Sequence, residues 1–353
     1  METIALIDTS ICSDNLGDEI IMDAVNETIE SLFPSAYIMR VPSHEALSER
    51  TRKFVLGASY CFVGGTNLLS SNITPTGLWR LDRAAADAYG STRTVCLGTG
   101  WIDYKPAVAP ATRRLLQTAL SGTLTHSVRD TYTKAHLENV GLKVLSTSCP
   151  TTWSLTPDHC ATFPHSRASA AILTLTAWRA DVESDRRIID LLRRQYRTIY
   201  FFPQMQDDYS YFKNFGFDDI KMLGTTLNAY NKFLENEDVD FVGTRLHGGI
   251  RALQRRRRAL ILAVDNRATE IGRDIGLPVL QRTDVCAIES WLEGADQIKL
   301  RLPEVEIEKW KSQFREVSRD SHGMSPGFRN NTSQSPSVRR KIRTLLDRFS
   351  QRL

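Results

Sequence analysis

Long apolar runs are missing from this 353-residue chain. None reaches the ~18 to 20 residues that a membrane helix needs, and no short apolar stretch with a basic flank and small-residue cleavage site opens the sequence. The expectation is a soluble, cytoplasmic protein. Cysteine is scarce: Cys12, Cys61, Cys96, Cys149, Cys160 and Cys286 include no Cys-x-x-Cys pair and no Cys/His cluster. That spacing argues against a zinc site and a disulfide framework, and leaves reduced, mostly buried thiols. Excess charge is lacking as well. Lys and Arg number 45 against 41 acidic residues, a net +4, too little and too dispersed for nucleic acid as the main partner. No repeat of fixed period appears, and no Asn-Gly hairpin signal separates the apolar runs.

What remains is a globular composition, with 41% hydrophobic and 24% charged residues, long enough for about two domains. Short β-branched runs alternate with helical stretches: Ile4-Ala5-Leu6-Ile7, Tyr37-Ile38-Met39, Cys61-Phe62-Val63, Thr94-Val95-Cys96-Leu97 and Thr123-Leu124-Thr125. A second series runs through Ala170 to Leu175, Thr198 to Phe202, Asp240 to Gly243 and Ala259 to Val264, ending near Pro278-Val279-Leu280. Such alternation predicts an α/β protein of two Rossmann-like domains with mostly parallel sheets. Residues 1–155 form the first domain and 165–320 the second, divided by a stretch carrying Pro150, Pro157 and Pro164. A linker is expected at 321–337 and an amphipathic helix at 338–353, its apolar stripe docking on the body and its basic face offering a membrane-surface alternative.

In open α/β sheets ligands bind beyond the carboxyl ends of the strands, so the loops there are the place to look. After the first run, Asp14-Asn15-Leu16-Gly17-Asp18-Glu19 leads into a helix. Asp18 and Glu19 complement the positive end of that helix, or Asp18 stands over the inter-domain cleft and takes a proton from a hydroxyl. Gly64-Gly65 and Gly98-Thr99-Gly100 are glycine turns after buried strands; they serve tight turns or a close approach of backbone to a ligand. Ser127-Val128-Arg129-Asp130 closes another strand. In Gly243-Thr244-Arg245-Leu246-His247-Gly248-Gly249, residues two apart on an extended loop point the same way, which directs Arg245 and His247 into one pocket. Gly248 and Gly249 then open a helix whose free N–H groups bind an anion. An Arg fork suits a carboxylate or phosphate, and a His exchanges protons near neutrality. The run Arg255 to Arg258 reads as helix-end charge, or as attraction to anionic lipid or a diphosphate-linked acceptor.

Taken in order, Asn15-x-Gly17-Asp18, Gly64-Gly65-x-x-Leu68-Leu69, Gly98-x-Gly100, Ser127-Val128-Arg129-Asp130 and Gly243-x-Arg245-Leu246-His247-Gly248 resemble the polysaccharide pyruvyl transferase family. The resemblance implies a two-domain fold similar to the GT-B glycosyltransferases, with the active site in the inter-domain cleft. It also implies transfer of the enolpyruvyl carbons of phosphoenolpyruvate onto two hydroxyls of a sugar, free, lipid-linked or polymeric, as a cyclic ketal with release of phosphate. Arg129, Arg245 and His247 match the family's donor-binding and catalytic positions. His247 is then the acid that protonates C3, Arg245 the donor anchor and Asp18 the acceptor of hydroxyl protons, with Asn15, Gly64, Gly65, Gly248 and Arg267 as further substrate contacts. The scheme needs no metal and no cofactor beyond the donor. The chain departs from the family pattern at Thr66, where many members carry a third glycine, and at Asp265-Asn266-Arg267, where an Asp is often followed by a Lys. Ser148-Cys149-Pro150-Thr151 also fits the pattern, which makes Cys149 a buried structural thiol. A nucleotide-sugar glycosyltransferase with a carboxylate near 260–270 on the ribose is the alternative enzyme, and a catalytically inert carbohydrate-binding relative the alternative from another class.

Overall fold

Residues 2–74, 77–102, 104, 105, 107–294 and 298–320 are described in the computed structural model, the last five as backbone only. Residues up to Phe314 belong to one compact unit, and Arg315–Asp320 are the described part of a second. The expected linker and terminal amphipathic helix, 321–353, lie outside the described residues.

Strands β1 Thr3–Asp8, β2 Tyr37–Pro42, β3 Tyr60–Gly64 and β4 Arg93–Leu97 make a sheet in the order β2-β1-β3-β4. Two short strands, β5 His126–Val128 and β6 Val144–Ser146, pair beside it and meet it through the bridge between Thr99 and Val128. Strands β7 Ala170–Thr174, β8 Thr198–Phe201, β9 Lys221–Met222, β10 Val239–Gly243, β11 Ala259–Ala263 and β12 Val279–Gln281 form a second sheet, in the order β12-β11-β10-β7-β8-β9. Every pairing between these strands is parallel, as expected when helical crossovers separate the strands.

One expected strand is displaced. Thr123, Leu124 and Thr125 stay outside the sheet because side chains take their backbone donors: Ser121 Oγ accepts from Thr123 and Leu124 at 3.3 and 3.1 Å, and Gln313 Oε1 from Thr125 at 2.9 Å. Pairing begins one residue later, at His126. The pairs at Val144–Ser146 and Lys221–Met222 were not legible as runs, being only 3 and 2 residues long.

The helix Leu16–Leu32 explains why the two sheets belong to one unit. Asn15 caps it, its side chain accepting from Gly17 N, while Asp18 and Glu19 fill the first turn. Ile21, Met22, Val25 and Ile29 pack under the first sheet, and Ile20 enters the core of the second with Phe202, Leu246 and Ile250. Leu16 N donates to Gln204 O at 3.0 Å, and Asp23 pairs with Arg251 at 2.6 Å. The helix Glu304–Asp320, which the sequence-based division assigns to 165–320, returns to the first sheet: Trp310 meets Phe62 edge-on, and Phe314 meets Phe33 and Tyr60 edge-on.

Candidate active site

The carboxyl ends of both sheets face a cleft of about 810 Å³. Loops after β1, β2, β3 and β4 supply one wall, including Ser13, Asn15, Asp18, His44, Asn67 and Tyr104; loops after β7, β8, β10, β11 and β12 supply the other, including Trp178, Arg179, Arg245, Asp265, Arg267 and Arg282. This is the position where open parallel sheets bind ligands.

Asp18 sits in the first turn of Leu16–Leu32 and lines the cleft. Burial pushes its carboxyl up to about 6, against the pull of the Ser13 hydroxyl, which donates to Oδ2 at 2.7 Å, and of the Arg267, His44 and Arg245 charges. A carboxylate with that pKa exchanges a proton near neutrality. Asn15 lies beside it on the same wall, its Oδ1 accepting from Gly17 N at 3.0 Å.

Three arginines approach the site, each held by a carboxylate. Arg245 binds Asp208 through both Nε, at 2.8 Å, and Nη2. Arg267 binds Asp265 through Nε at 3.0 Å and Nη2 at 2.6 Å. Arg129, fully buried, donates from Nε to Asp130 at 2.9 Å and from Nη1 to Asn67 Oδ1 at 2.6 Å, leaving Nη2 without a partner. Asp208 and Asp265 each hold two nitrogens of their arginine, whereas Arg129 is shared between Asp130 and Asn67. Burial alone would raise Asp265, yet the Arg267 guanidinium outweighs it and holds that carboxyl below the usual range. Gly100 is glycine because a Cβ there would overlap the Arg129 guanidinium.

The Arg245–His247 segment departs from the expected loop. Arg245 is extended (φ −93°, ψ 99°) and caps a helix that begins at Leu246, so His247 lies in the first turn and the two side chains diverge. Arg245 lines the cleft, whereas His247 is buried behind it with Nε2 3.8 Å from Cys149 Sγ. Burial, with the nearby Arg267 and Arg129 charges, drives His247 down to about 3, so the ring is neutral. Cys149 is buried and accepts from Thr151 Oγ1 at 3.1 Å, and burial raises its thiol.

The glycines have packing reasons that the sequence reading overlooked. Gly65 adopts φ +55°, and a Cβ there would overlap Ile21 Cγ2; one on Gly64 would press on Ile7 O and Val25 at 3.1 Å. Both lie against the helix Leu16–Leu32, not against the cleft. A Cβ on Gly248 would overlap Gln204 Oε1, and one on Gly249 would come within 2.5 Å of Ile261. The helix therefore opens two residues before Gly248, whose N–H belongs to the unbonded first turn. Three arginines of the run Arg255 to Arg258 are engaged within the fold: Arg255 pairs with Glu235 at 3.3 Å, Arg257 with Asp238 at 3.7 Å and buried Arg258 with Asp240 at 3.3 Å. Among the described residues no helix is long and apolar enough to cross a membrane.

Asp208, Asn67 and Gln204 escaped the sequence reading. Asp208 follows β8 by seven residues, and the rule that led to the other loops applies to it equally. Nothing in the sequence marks Asn67 as a partner of Arg129, 62 residues on.

The sequence profile described as polysaccharide pyruvyl transferase matches residues 15–266. No curated relative matches the chain by sequence. By fold, an S. aureus MnaA–UDP co-structure superposes with a TM-score of 0.51 at 10% identity, covering 94% of this chain and 100% of that one. E. coli heptosyltransferase WaaC with ADP-2-deoxy-2-fluoro heptose gives a TM-score of 0.39 at 12% identity, covering 90% and 100%. The architecture is the GT-B-like one expected. The family match spans most of the chain and includes the Asp18, Arg129 and Arg245–His247 segments, so the chain belongs to the polysaccharide pyruvyl transferase family.

Proposed function

We propose that this family member moves the enolpyruvyl group of phosphoenolpyruvate onto two hydroxyls of a sugar, forming a pyruvate ketal and releasing phosphate. The observation that carries the reading is the division of the cleft. One wall holds arginines locked in carboxylate pairs, and the other holds Asp18, poised to titrate near 6 among hydroxyl and amide side chains.

On this reading the donor, with its phosphate and carboxylate, lies along the third nitrogens of Arg245, Arg267 and Arg129 and the N–H groups that open Leu246–Gln254. Asp18 takes the proton of the attacking hydroxyl as its oxygen bonds to C2, and a proton arrives at C3. The C2–O bond to phosphate then breaks, the arginines receive the leaving charge, and the second hydroxyl closes the ketal on the cationic carbon as its proton passes to the departing phosphate. His247 is the proposed source of the C3 proton. Neutral in the empty site, it must gain that proton as the donor's negative charge arrives and offsets Arg129 and Arg267.

A nucleotide-sugar glycosyltransferase shares the architecture, but its ribose contact would fall on carboxylates that are already committed: Asp265 to Arg267, and Glu270 to Tyr104 Oη at 2.7 Å and to Arg273. The two readings separate in thermal-shift measurements. Stabilisation by phosphoenolpyruvate, with a ketal mass gain on galactosyl, mannosyl or hexosamine acceptors, supports the proposal. Stabilisation by UDP- or GDP-sugars alone overturns it, and carbohydrate binding without turnover identifies an inert relative.

A further inference from the structure

One buried thiol stands outside the proposed chemistry although the chain holds it with care. Ser148, the residue before Cys149, has φ +62°, a left-handed backbone that a non-glycine residue keeps only where its surroundings fix it. Thr152 supplies that restraint, donating from N to Cys149 O at 2.8 Å and from Oγ1 to Ser148 Oγ at 3.0 Å. Gly98 adds to it, since a Cβ there would overlap Pro150 Cδ. Strain retained in this way concentrates at functional sites.

Cys149 Sγ has two side-chain partners among the described residues, the Thr151 hydroxyl at 3.1 Å and His247 Nε2 at 3.8 Å. Burial keeps the thiol protonated and the imidazole neutral, so the protons of this chain of three run in one direction or the other. Were Nε2 to donate to sulfur, the S–H would turn to Thr151 Oγ1. The proton of the Thr151 hydroxyl, buried and bonded to nothing but sulfur, would then have no acceptor, at the desolvation cost of an unsatisfied polar group. The opposite direction satisfies all three: Thr151 donates to sulfur, the S–H donates to Nε2, and the ring carries its own proton on Nδ1. Nδ1 makes no hydrogen bond among the described residues. The charges of Arg267, Arg129 and Asp265 act on this ring, and those of Arg129 and Asp130 on the sulfur. A neutral ring that gave up its one proton would become an imidazolate, so it needs a second proton behind it.

We infer that Cys149 is a positioning residue for His247: its S–H donates to Nε2, holds the ring proton on Nδ1, and refills the ring when that proton passes to C3 of the donor. The S–H and Nδ1–H bonds break as the Nε2–H and C3–H bonds form, leaving a thiolate that accepts from Thr151 in the field of Arg129. In the emptied site Asp18 loses the hydroxyl proton to water, water returns one to Nδ1, and Nε2 hands its own back to sulfur. The inference rests on the pyruvyl transfer reading and names the origin of its C3 proton.

The test reads the tautomer directly, from the nitrogen-15 resonances of the imidazole in the protein without substrate at neutral pH, with the His247 signals assigned by their loss in His247→Asn. Wild type should show Nδ1 protonated and Nε2 bare. Cys149→Ser, whose hydroxyl still donates but releases its proton far less readily, should keep that tautomer while kcat falls about 10²-fold and the KM for phosphoenolpyruvate stays within about twofold. Cys149→Ala should lose at least as much turnover and admit the Nε2–H tautomer. Nε2 protonated in the wild type overturns the inference, and so does either variant turning over within about twofold of wild type; the wild-type spectrum decides where a variant does not fold. Failure of the pyruvyl reading looks different. The expected tautomer without ketal formation from phosphoenolpyruvate removes that reading and the C3 step with it, whereas ketal formation with Nε2 protonated removes only the role of Cys149.

Discussion

The loops that end β1, β2 and β3 and those that end β7, β10 and β11 occupy equivalent places on two parallel sheets, yet they carry different chemistry. Among the described residues lining the cleft, the first set contributes Thr9, Ser13, Asn15, Asp18 and Asn67 and no lysine or arginine. The second contributes Arg179, Arg245 and Arg267. On the proposed reading, similar backbones are dressed for different tasks, one wall mainly for hydroxyls and their protons and the other mainly for anions, with Arg129 an anion-binding exception from the first half. Fold explains where the site is, and the side chains alone explain what each half does there.

The largest break in that division should come from Asp18. Asp18→Asn keeps the shape and removes the proton acceptor, so turnover should fall about 10²- to 10⁴-fold with donor affinity retained, measured by steady-state kinetics and calorimetry. In the wild type, kcat/KM should rise as pH climbs through about 6. The same shift bears on stability. The folded pKa lies above the ordinary 3.8 because of burial, so the folded state binds the proton more tightly and stability falls as pH rises from about 4 to about 6. Above pH 6, Asp18→Asn should therefore unfold less readily than wild type, by up to about 3 kcal/mol at 1.36 kcal/mol per pKa unit.

Asp208 sharpens the comparison from the other wall. It is fully buried against Arg245 and also accepts from Ala177 N at 3.1 Å. Asp208→Ala leaves a buried guanidinium without its partner, and urea denaturation should show a loss of about 3–5 kcal/mol. Donor binding should weaken too, since the fork that aims the third nitrogen is gone.

Gly65→Ala tests whether the glycine turn belongs to either wall. With φ +55° and Ile21 in the way, the variant should lose about 1–3 kcal/mol of stability, while phosphoenolpyruvate binds as before. A lost donor affinity at unchanged stability would return Gly65 to the ligand. The smallest effect is expected at Arg255, whose pair with Glu235 is largely exposed. Arg255→Ala should cost less than about 1 kcal/mol, and flotation with anionic vesicles should be the same for both proteins.

The sheets were legible because buried parallel strands write themselves as apolar runs, and Ile4 to Ile7 or Ala259 to Ala263 have few other readings. The loops were legible as places, since a strand end can be read from where its run stops. What could not be read was pairing. That Arg245 is met by Asp208, or that half-buried Asp18 titrates near 6, depends on contacts between segments far apart in the chain. His247 shows the same limit on a smaller scale. Its two-residue spacing from Arg245 predicted a shared direction, but the helix begins between them, and one residue of boundary turned the ring away.

On the proposed pyruvyl transfer, the carboxylate held against each arginine has a consequence for the catalytic cycle. Product phosphate is itself a strong ligand for bare guanidinium groups, and an enzyme that releases it every round must not hold it too well. With Asp208, Asp265 and Asp130 already in place, these three arginines keep a carboxylate partner in the emptied site. Departing phosphate leaves behind no stranded positive charge, and the arginines settle back onto partners they never left.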